Sequence, residues 1–363
     1  MDRRSFIKKA GLATGAAAAT TLAAPAIAQD VTEIKMVTSW PKNFPGLGTA
    51  PENFAKAINA ASDGRYQVKV FAGGELVHPL KCNDAVQDGT AEMYHSADYY
   101  YQGKTKAYAF FTAVPFGFRP DEIDAWIHHG GGQALWDEVG AQFGVKHLVG
   151  GNSGSQMGGW FRKPVTTLED FKGIKMRIPG LGGDVVNALG GTSVTLAGSE
   201  ILPALQSGTV DAAEWVGPWN DLAFGFYKVT KHYHYPGFHE PGSMLSFGMN
   251  KGLWDGMSDA DKAMFSHVAA GINNMTLAEF NANNTQALDT LLNKHGVELH
   301  EFSDELYKAF GEAAKDVLAT AGASDAISGK VYESFLDFRK KALRWSDLSD
   351  RGYMNKRALT DFG

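Results

Sequence analysis

With a single cysteine, Cys82, in 363 residues, the chain has no intrachain disulfide framework. A chain of this length builds a sufficient core without one, so Cys82 is expected as a buried or semi-buried structural thiol. No basic excess is present: 34 Lys and Arg stand against 40 Asp and Glu, which argues against nucleic acid as a partner. After the N-terminal segment, no apolar run is long enough to span a bilayer. Catalytic signatures are missing as well. G-x-S-x-G, H-E-x-x-H, a Walker loop and C-x-x-C do not occur, and Gly154–Gly158 is GSQMG, with Gln156 where a nucleophile elbow has its serine.

The chain opens MDRRSFIKKAGLATGAAAATTLAAPAIAQD, in which cations precede an Ala-rich run and Ala26-Ile27-Ala28 forms an A-x-A cleavage site. Residues 1–28 are therefore expected to be an export signal, and Arg3-Arg4 before Ser5-Phe6-Ile7-Lys8 resembles the twin-arginine type. This leader carries four cations against Asp2, so its removal takes the net charge from −6 to −9. The expected location is the periplasm.

Hydrophobic periodicity then predicts two α/β units. Strands are expected over Thr32–Trp40 and Tyr66–Leu76, helices over Ala50–Ala61 and Pro79–Gly89, and a strand and turn over AEMYHSADYYY. This β-α-β-α-β order implies an open α/β sheet. The pattern restarts with VKHLVGGNSGSQMGGWF as strand, Gly-rich turn and strand. IKMRI, TSVTL and TVDAAEW are further strands, alternating with helices at Asp184–Leu189 and Glu200–Ser207. HYHYPGFHEPGSMLSFGMNKGLW suggests a return crossing, and from Ser258 onward the chain is almost all helical. The expectation is two lobes around a cleft.

In LEDFKGIKMRIPG, alternation places Ile174, Met176 and Ile178 on one strand face and Lys175 and Arg177 on the other. Arg177 would sit at the strand's carboxyl end, where open α/β sheets bind ligands, and an arginine there can grip a carboxylate bidentately. A salt bridge is the competing reading. Glu214 ends the strand of VDAAEW and would face the same crevice. Glu214, the Gln156 amide and a backbone carbonyl would suit a hard cation such as Na⁺ or Ca²⁺; a simple ion pair is the alternative. His232, His234, His239 and Glu240 make a zinc site conceivable, against strand-edge and loop histidines. Trp40, Phe44, Tyr99, Tyr100, Tyr101, Trp160, Trp215 and Trp219 are candidates for cleft walls, and Tyr101 and Asn220 for hydrogen bonds to a small polar ligand.

LEDFKGIKMRIPG, the later ALGGTSVTLAGSEILPALQSGTVDAAE and their spacing resemble the solute receptors of tripartite ATP-independent periplasmic (TRAP) transporters. SVTL departs mildly from the family's usual PVPL or PVPM. GSQMGGW, AEWVGPWND and the long tail are most similar to the branch that binds 2-oxo acids or lactate with a cation. The resemblance implies a two-lobed α/β fold with crossing strands, a long connecting helix and an extended C-terminal helix. It places lobe I at 29–153 plus about 243–325, lobe II at 154–242 and a helical tail at 326–363 that can exchange between subunits of a homodimer. It implies Arg177 as the carboxylate grip, Gln156, Glu214 and the Trp215 carbonyl as cation ligands with Glu240 beside them, and Tyr101 and Asn220 completing the pocket. One clear carboxylate favours Na⁺ over Ca²⁺. The implied activity is capture of a small monocarboxylate and its delivery to membrane permease subunits. Two other readings stand beside it: a metal-assisted lyase or aldolase with Glu214 as base, and a scaffold or adhesion module.

Overall fold

The structure, a computed structural model, describes residues 31–361, so the leader expected over 1–28 lies outside the described residues. Two sheets organise the chain. The first contains β1 (Thr32–Thr38), β2 (Tyr66–Phe71), β3 (Met93–Ser96), β4 (Val145–Asn152) and β10 (Met244–Asn250), in the order β2-β1-β3-β10-β4. The first three strands are parallel, as the alternation with helices requires, and β10 inserts antiparallel between β3 and β4. Ile34 and Met36 of β1 bury against Phe54 and Ile58 of the helix Thr49–Ala61, while Val37 joins the core on the opposite face.

The second sheet contains β5 (Gly159–Phe161), β6 (Lys175–Arg177), β7 (Thr192–Val194), β8 (Ala212–Ala213), β9 (His232–Tyr235) and β11 (Glu298–Glu301), in the order β11-β9-β5-β8-β6-β7. Met176 and Ile178 point into a core with Phe171 and Val185, as the alternation of IKMRI demands. The strand expected over TVDAAEW shrinks to two residues, and the helix expected from Asp184 already begins at Gly180.

Segments 153–158 and 236–243 cross between the sheets side by side. Ser153 N–H donates to the Ser243 carbonyl at 3.1 Å, Gln156 N–H to the Glu240 carbonyl at 3.1 Å and Gly237 N–H to the Gln156 carbonyl at 3.0 Å. A 31-residue helix, Asp259–Asp289, starts where the Ser258 hydroxyl accepts the Asp261 N–H. It packs on β4 and also reaches the second half, where Phe280 meets the Trp219 ring at 5.3 Å and Asn284 accepts the Trp219 N–H at 3.0 Å.

Strand pairing returns the chain to the second sheet ahead of the lobe boundary expected near 325. After the long helix, β11 pairs parallel to β9, with Glu298 opposite His232, so the chain has already returned to the second sheet. The helix Asp304–Gly322 follows it there, burying Leu306 and Phe310 with Phe171 and Met176. The four-residue strand ELHE carries no periodic signal of its own, so only its partner reveals it.

The helix Ala326–Leu348 buries Ile327, Val331 and Phe335, and the Phe335 ring lies 5.6 Å from Phe110. Its first half is thus part of its own chain's core. Beyond it, Trp345 is 68% exposed and Leu348 76% exposed. Among the described residues no helix is long and apolar enough to cross a membrane.

Candidate functional site

β6 and β8 are parallel neighbours with Arg177 opposite Ala213, so their carboxyl ends finish side by side. Glu214 follows directly, its N–H donating to the Arg177 carbonyl at 3.1 Å. This register converts the separation between Arg177 and Glu214 in sequence into contact. After β6 the chain turns at Gly180, where φ is +63° and an added Cβ would lie 3.3 Å from the Tyr99 ring. Glycine supplies both the left-handed conformation and the close approach.

Arg177 is 1% exposed. Its Nη1 donates to Glu214 Oε1 at 2.5 Å and to the Glu214 carbonyl at 2.9 Å. Nε and Nη2 each reach the Leu196 carbonyl at 3.2 Å, and Nη2 also meets the Tyr100 hydroxyl at 3.3 Å. The guanidinium stands 5.1 Å over the Trp215 ring. Burial, the largest single influence, pushes its pKa down, but the charge of Glu214 together with Tyr100 and Tyr99 raises it overall. Arg177 forms an ion pair with Glu214, and this pair lies within one sheet rather than across the lobes.

The other carboxylate oxygen, Glu214 Oε2, lies 3.2 Å from His239 Nε2. Burial pushes His239 down, yet its bond to Glu214 and the charge of that carboxylate raise it overall. Glu240 is pushed up to about 7, first by burial and then by the neighbouring charge of Glu214. Gln156 Nε2 donates to Glu240 Oε2 at 2.8 Å and to Ser153 Oγ at 2.9 Å. Glu240 thereby fixes which way the amide points. Gln156 Oε1 is left buried with no hydrogen-bond partner. An orphaned buried oxygen costs about 1–3 kcal/mol, and beside carboxylates it has the chemistry of a hard-cation ligand. Glu214, His239 and Glu240 can each offer an atom within 4.8 Å of the others.

Gln156 and Trp215 line a small cavity of about 10 Å³, close to what a single water needs. Trp40, Leu47, Tyr99, Tyr100 and Leu245 wall it from the first half, and Ser153 and Ser243 from the crossings. Its lining joins polar groups to aromatic rings, as small-ligand pockets do.

Tyr101, expected at the pocket, lies on the core side of its turn. Its ring packs 5.6 Å from Tyr94 and 6.2 Å from Tyr108 in the first half's core, while Tyr100 reaches Arg177. All three tyrosines belong to a 3₁₀ turn, where consecutive side chains diverge by about 120°, so a one-residue step exchanges cleft for core. Asn220 is buried in the helix Pro218–Phe224 and ties it to the opposite half by donating to the Pro45 carbonyl at 3.0 Å; its Oδ1 has no partner. The four residues of the conceivable zinc site separate: His239 and Glu240 join Glu214, whereas His232 and His234 lie on β9. Of the aromatic candidates, Trp160 stacks on Tyr233 at 4.1 Å and Phe44 on Phe224 at 4.3 Å as packing residues. Cys82 is fully buried and its thiol is pushed up to about 12 by burial, an inert structural position. Sequence reading placed Tyr100 among the cleft walls and His239 among possible ligands, but their contacts with Arg177 and Glu214 escaped it.

A family description, bacterial extracellular solute-binding protein family 7 (DctP), matches residues 36–325. The chain belongs to this family. A relative from Nostoc sp., described as a monocarboxylate 2-oxoacid-binding periplasmic protein, is 38% identical over 360 residues, covering 98% of both chains. A TRAP solute-binding protein from Bordetella bronchiseptica superposes with a TM-score of 0.88 at 31% identity, over 91% of this chain and 98% of that one. Its crystal is a mixed-occupancy dimer with calcium and picolinate in one active site. A second, from Pseudoalteromonas atlantica with sodium and pyruvate bound, gives 0.86 at 34% identity, over 90% and 99%. The two-sheet α/β fold is that of TRAP periplasmic binding proteins, and this DctP-family protein is a transporter's solute receptor. Its relatives are receptors, not enzymes, so the lyase reading has no support.

Proposed function

We propose that this DctP-family receptor captures a small 2-oxo monocarboxylate, of which pyruvate is the type, together with Na⁺ or Ca²⁺ in the periplasm, and presents it to membrane permease subunits. The observation that carries the reading is a buried guanidinium behind the wall of a small aromatic cavity that Gln156, with its partnerless Oε1, also lines. Arg177 supplies the fixed positive charge for the ligand carboxylate and takes part of its hold away from Tyr100 and Leu196 when it does so. Glu214, Gln156 and the Trp215 carbonyl would hold the cation, which would balance the charge of the ligand. Glu240 and Ser153 keep the Gln156 amide turned. Trp40, Tyr99, Tyr100 and Trp215 exclude water, and Asn220 ties the halves together through the Pro45 carbonyl. Closure over the ligand is a population shift that the bound solute drives through its higher affinity for the closed state. Sodium is the ion we favour, because Glu214 is the one carboxylate of the proposed ligand set. Calorimetric titration of the mature chain with pyruvate should give affinity at least tenfold higher in Na⁺ or Ca²⁺ than in a large organic cation. Equal affinity in all three buffers would remove the cation from the proposal.

A homodimer through the C-terminal helix is proposed with a narrower contact than the whole tail. The buried Val331 and Phe335 belong to the chain's own core, so the exchangeable surface begins beyond them, where Trp345, Leu348, Tyr353 and Met354 are exposed. Joint substitution Trp345→Ser and Leu348→Glu should convert dimers to monomers on a sizing column while leaving the melting temperature within a few degrees. Dimers that persist would refute this contact.

A further inference from the structure

On the outer edge of the second sheet, away from the pair Arg177 and Glu214, three donor atoms converge. β11 is the edge strand, and its parallel register sets Glu298 opposite His232 and His300 opposite His234. His232 Nδ1 lies 3.0 Å from His300 Nε2. A single carboxylate oxygen, Glu298 Oε2, lies 3.5 Å from the first and 3.7 Å from the second. From these three residues we infer a second metal site, one for a borderline divalent transition-metal ion such as Zn²⁺, that staples β11 to β9.

The geometry fits such an ion closely. With metal–ligand bonds of about 2.1 Å, two ligands of a tetrahedral zinc stand roughly 3.4 Å apart. The three separations, 3.0, 3.5 and 3.7 Å, straddle that value, so the triangle needs adjustments of only a few tenths of an ångström. Two imidazoles with one carboxylate form a donor set suited to zinc rather than to sodium or calcium, which prefer oxygen. The imidazoles are held in place. His300 stacks on His234 at 5.0 Å and 26°, and His234 is itself wedged against Phe161 at 4.4 Å. His234 is occupied as a positioning ring, since its Nε2 accepts the Val165 N–H at 3.0 Å. The nearest lysine in sequence, Lys231, donates its ammonium to the His295 carbonyl at 2.8 Å and leaves the donors alone. Side chains of His232 and His300 are 25% and 22% exposed and Glu298 is 63% exposed, which leaves an entry path and room for a water as fourth ligand. In the bound form each imidazole carries its proton on the outer nitrogen, Nε2 of His232 and Nδ1 of His300, which merely moves the proton now shared between them.

The site joins strands separated by the whole long helix, so metal binding should stiffen the sheet edge without touching the solute cavity. The test uses the full mature chain stripped with chelator and titrated with Zn²⁺ alone. One equivalent should bind, the melting temperature should rise with Zn²⁺, and Glu298→Gln, an exposed and fold-neutral change, should weaken binding at least about tenfold. His300→Ala should weaken it further, whereas His239→Ala in the solute site should leave that equivalent intact. Absence of a bound equivalent in the unaltered chain would overturn the inference, as would an equivalent lost with His239→Ala but kept with Glu298→Gln and His300→Ala.

Discussion

Arg177→Met is expected to weaken capture of pyruvate by about a thousandfold. Three contributions add in the same direction. A charge-assisted contact to the ligand carboxylate is lost, and such contacts truncated on one side cost about 2–5 kcal/mol. The apolar side chain that replaces it cannot balance the ligand's charge in a cavity walled by aromatic rings. Glu214 also loses the partner that now holds it at 2.5 Å. Breaking a buried ion pair from one side typically destabilises a fold by about 3–5 kcal/mol, so the melting temperature should fall as well. Arg177→Lys separates the two effects. It keeps a charge near Glu214 but not the planar fork that spans Glu214, Leu196 and Tyr100, so stability should recover more than affinity. Calorimetry with each variant, alongside thermal unfolding, reads both quantities. Wild-type affinity in folded Arg177→Met would take the guanidinium out of the ligand site.

Glu214→Gln should have a comparable effect for a different reason. The substitution removes the one carboxylate that contacts both Arg177 and His239, and it removes the main anionic ligand proposed for the cation. Binding of pyruvate should drop by about a hundredfold or more, and raising Na⁺ or Ca²⁺ should no longer restore it. That second behaviour is the decisive one, because a merely structural Glu214 would leave the cation dependence in place. Titration of pyruvate at several cation concentrations with the Gln variant checks it. A slope of affinity on cation concentration equal to the wild type's would show that Glu214 is not a cation ligand.

The alternation of IKMRI exposed the inward face of β6 correctly, because Met176 and Ile178 face a core and a period-two pattern reports that directly. The same pattern could not report that Arg177, on the face expected to be polar, is buried as deeply as they are. That burial comes from Tyr100 of the other half and Trp215 of the neighbouring strand end, contacts between segments far apart in sequence. Tyr101 shows the limit at finer scale: composition marked the tyrosine run, but the rotation of a 3₁₀ turn decided which ring enters the cleft.

By itself the sequence determined the α/β alternation, the strand ends that carry Arg177 and Glu214, and the motifs that place the chain among TRAP solute receptors. These are local properties, written in periodicity, turn residues and spacing. Only the tertiary structure decided what those residues touch. The parallel register of β6 with β8 makes Arg177 and Glu214 a pair, and the crossing segments bring Glu240 onto the Gln156 amide. The return of β11 to β9 sets Glu298 and His300 against His232. Pairing between strands separated by dozens of residues depends on which edges are free and which faces can be buried together. No local pattern encodes that choice, so the chemistry of both sites emerges only when the sheets are assembled.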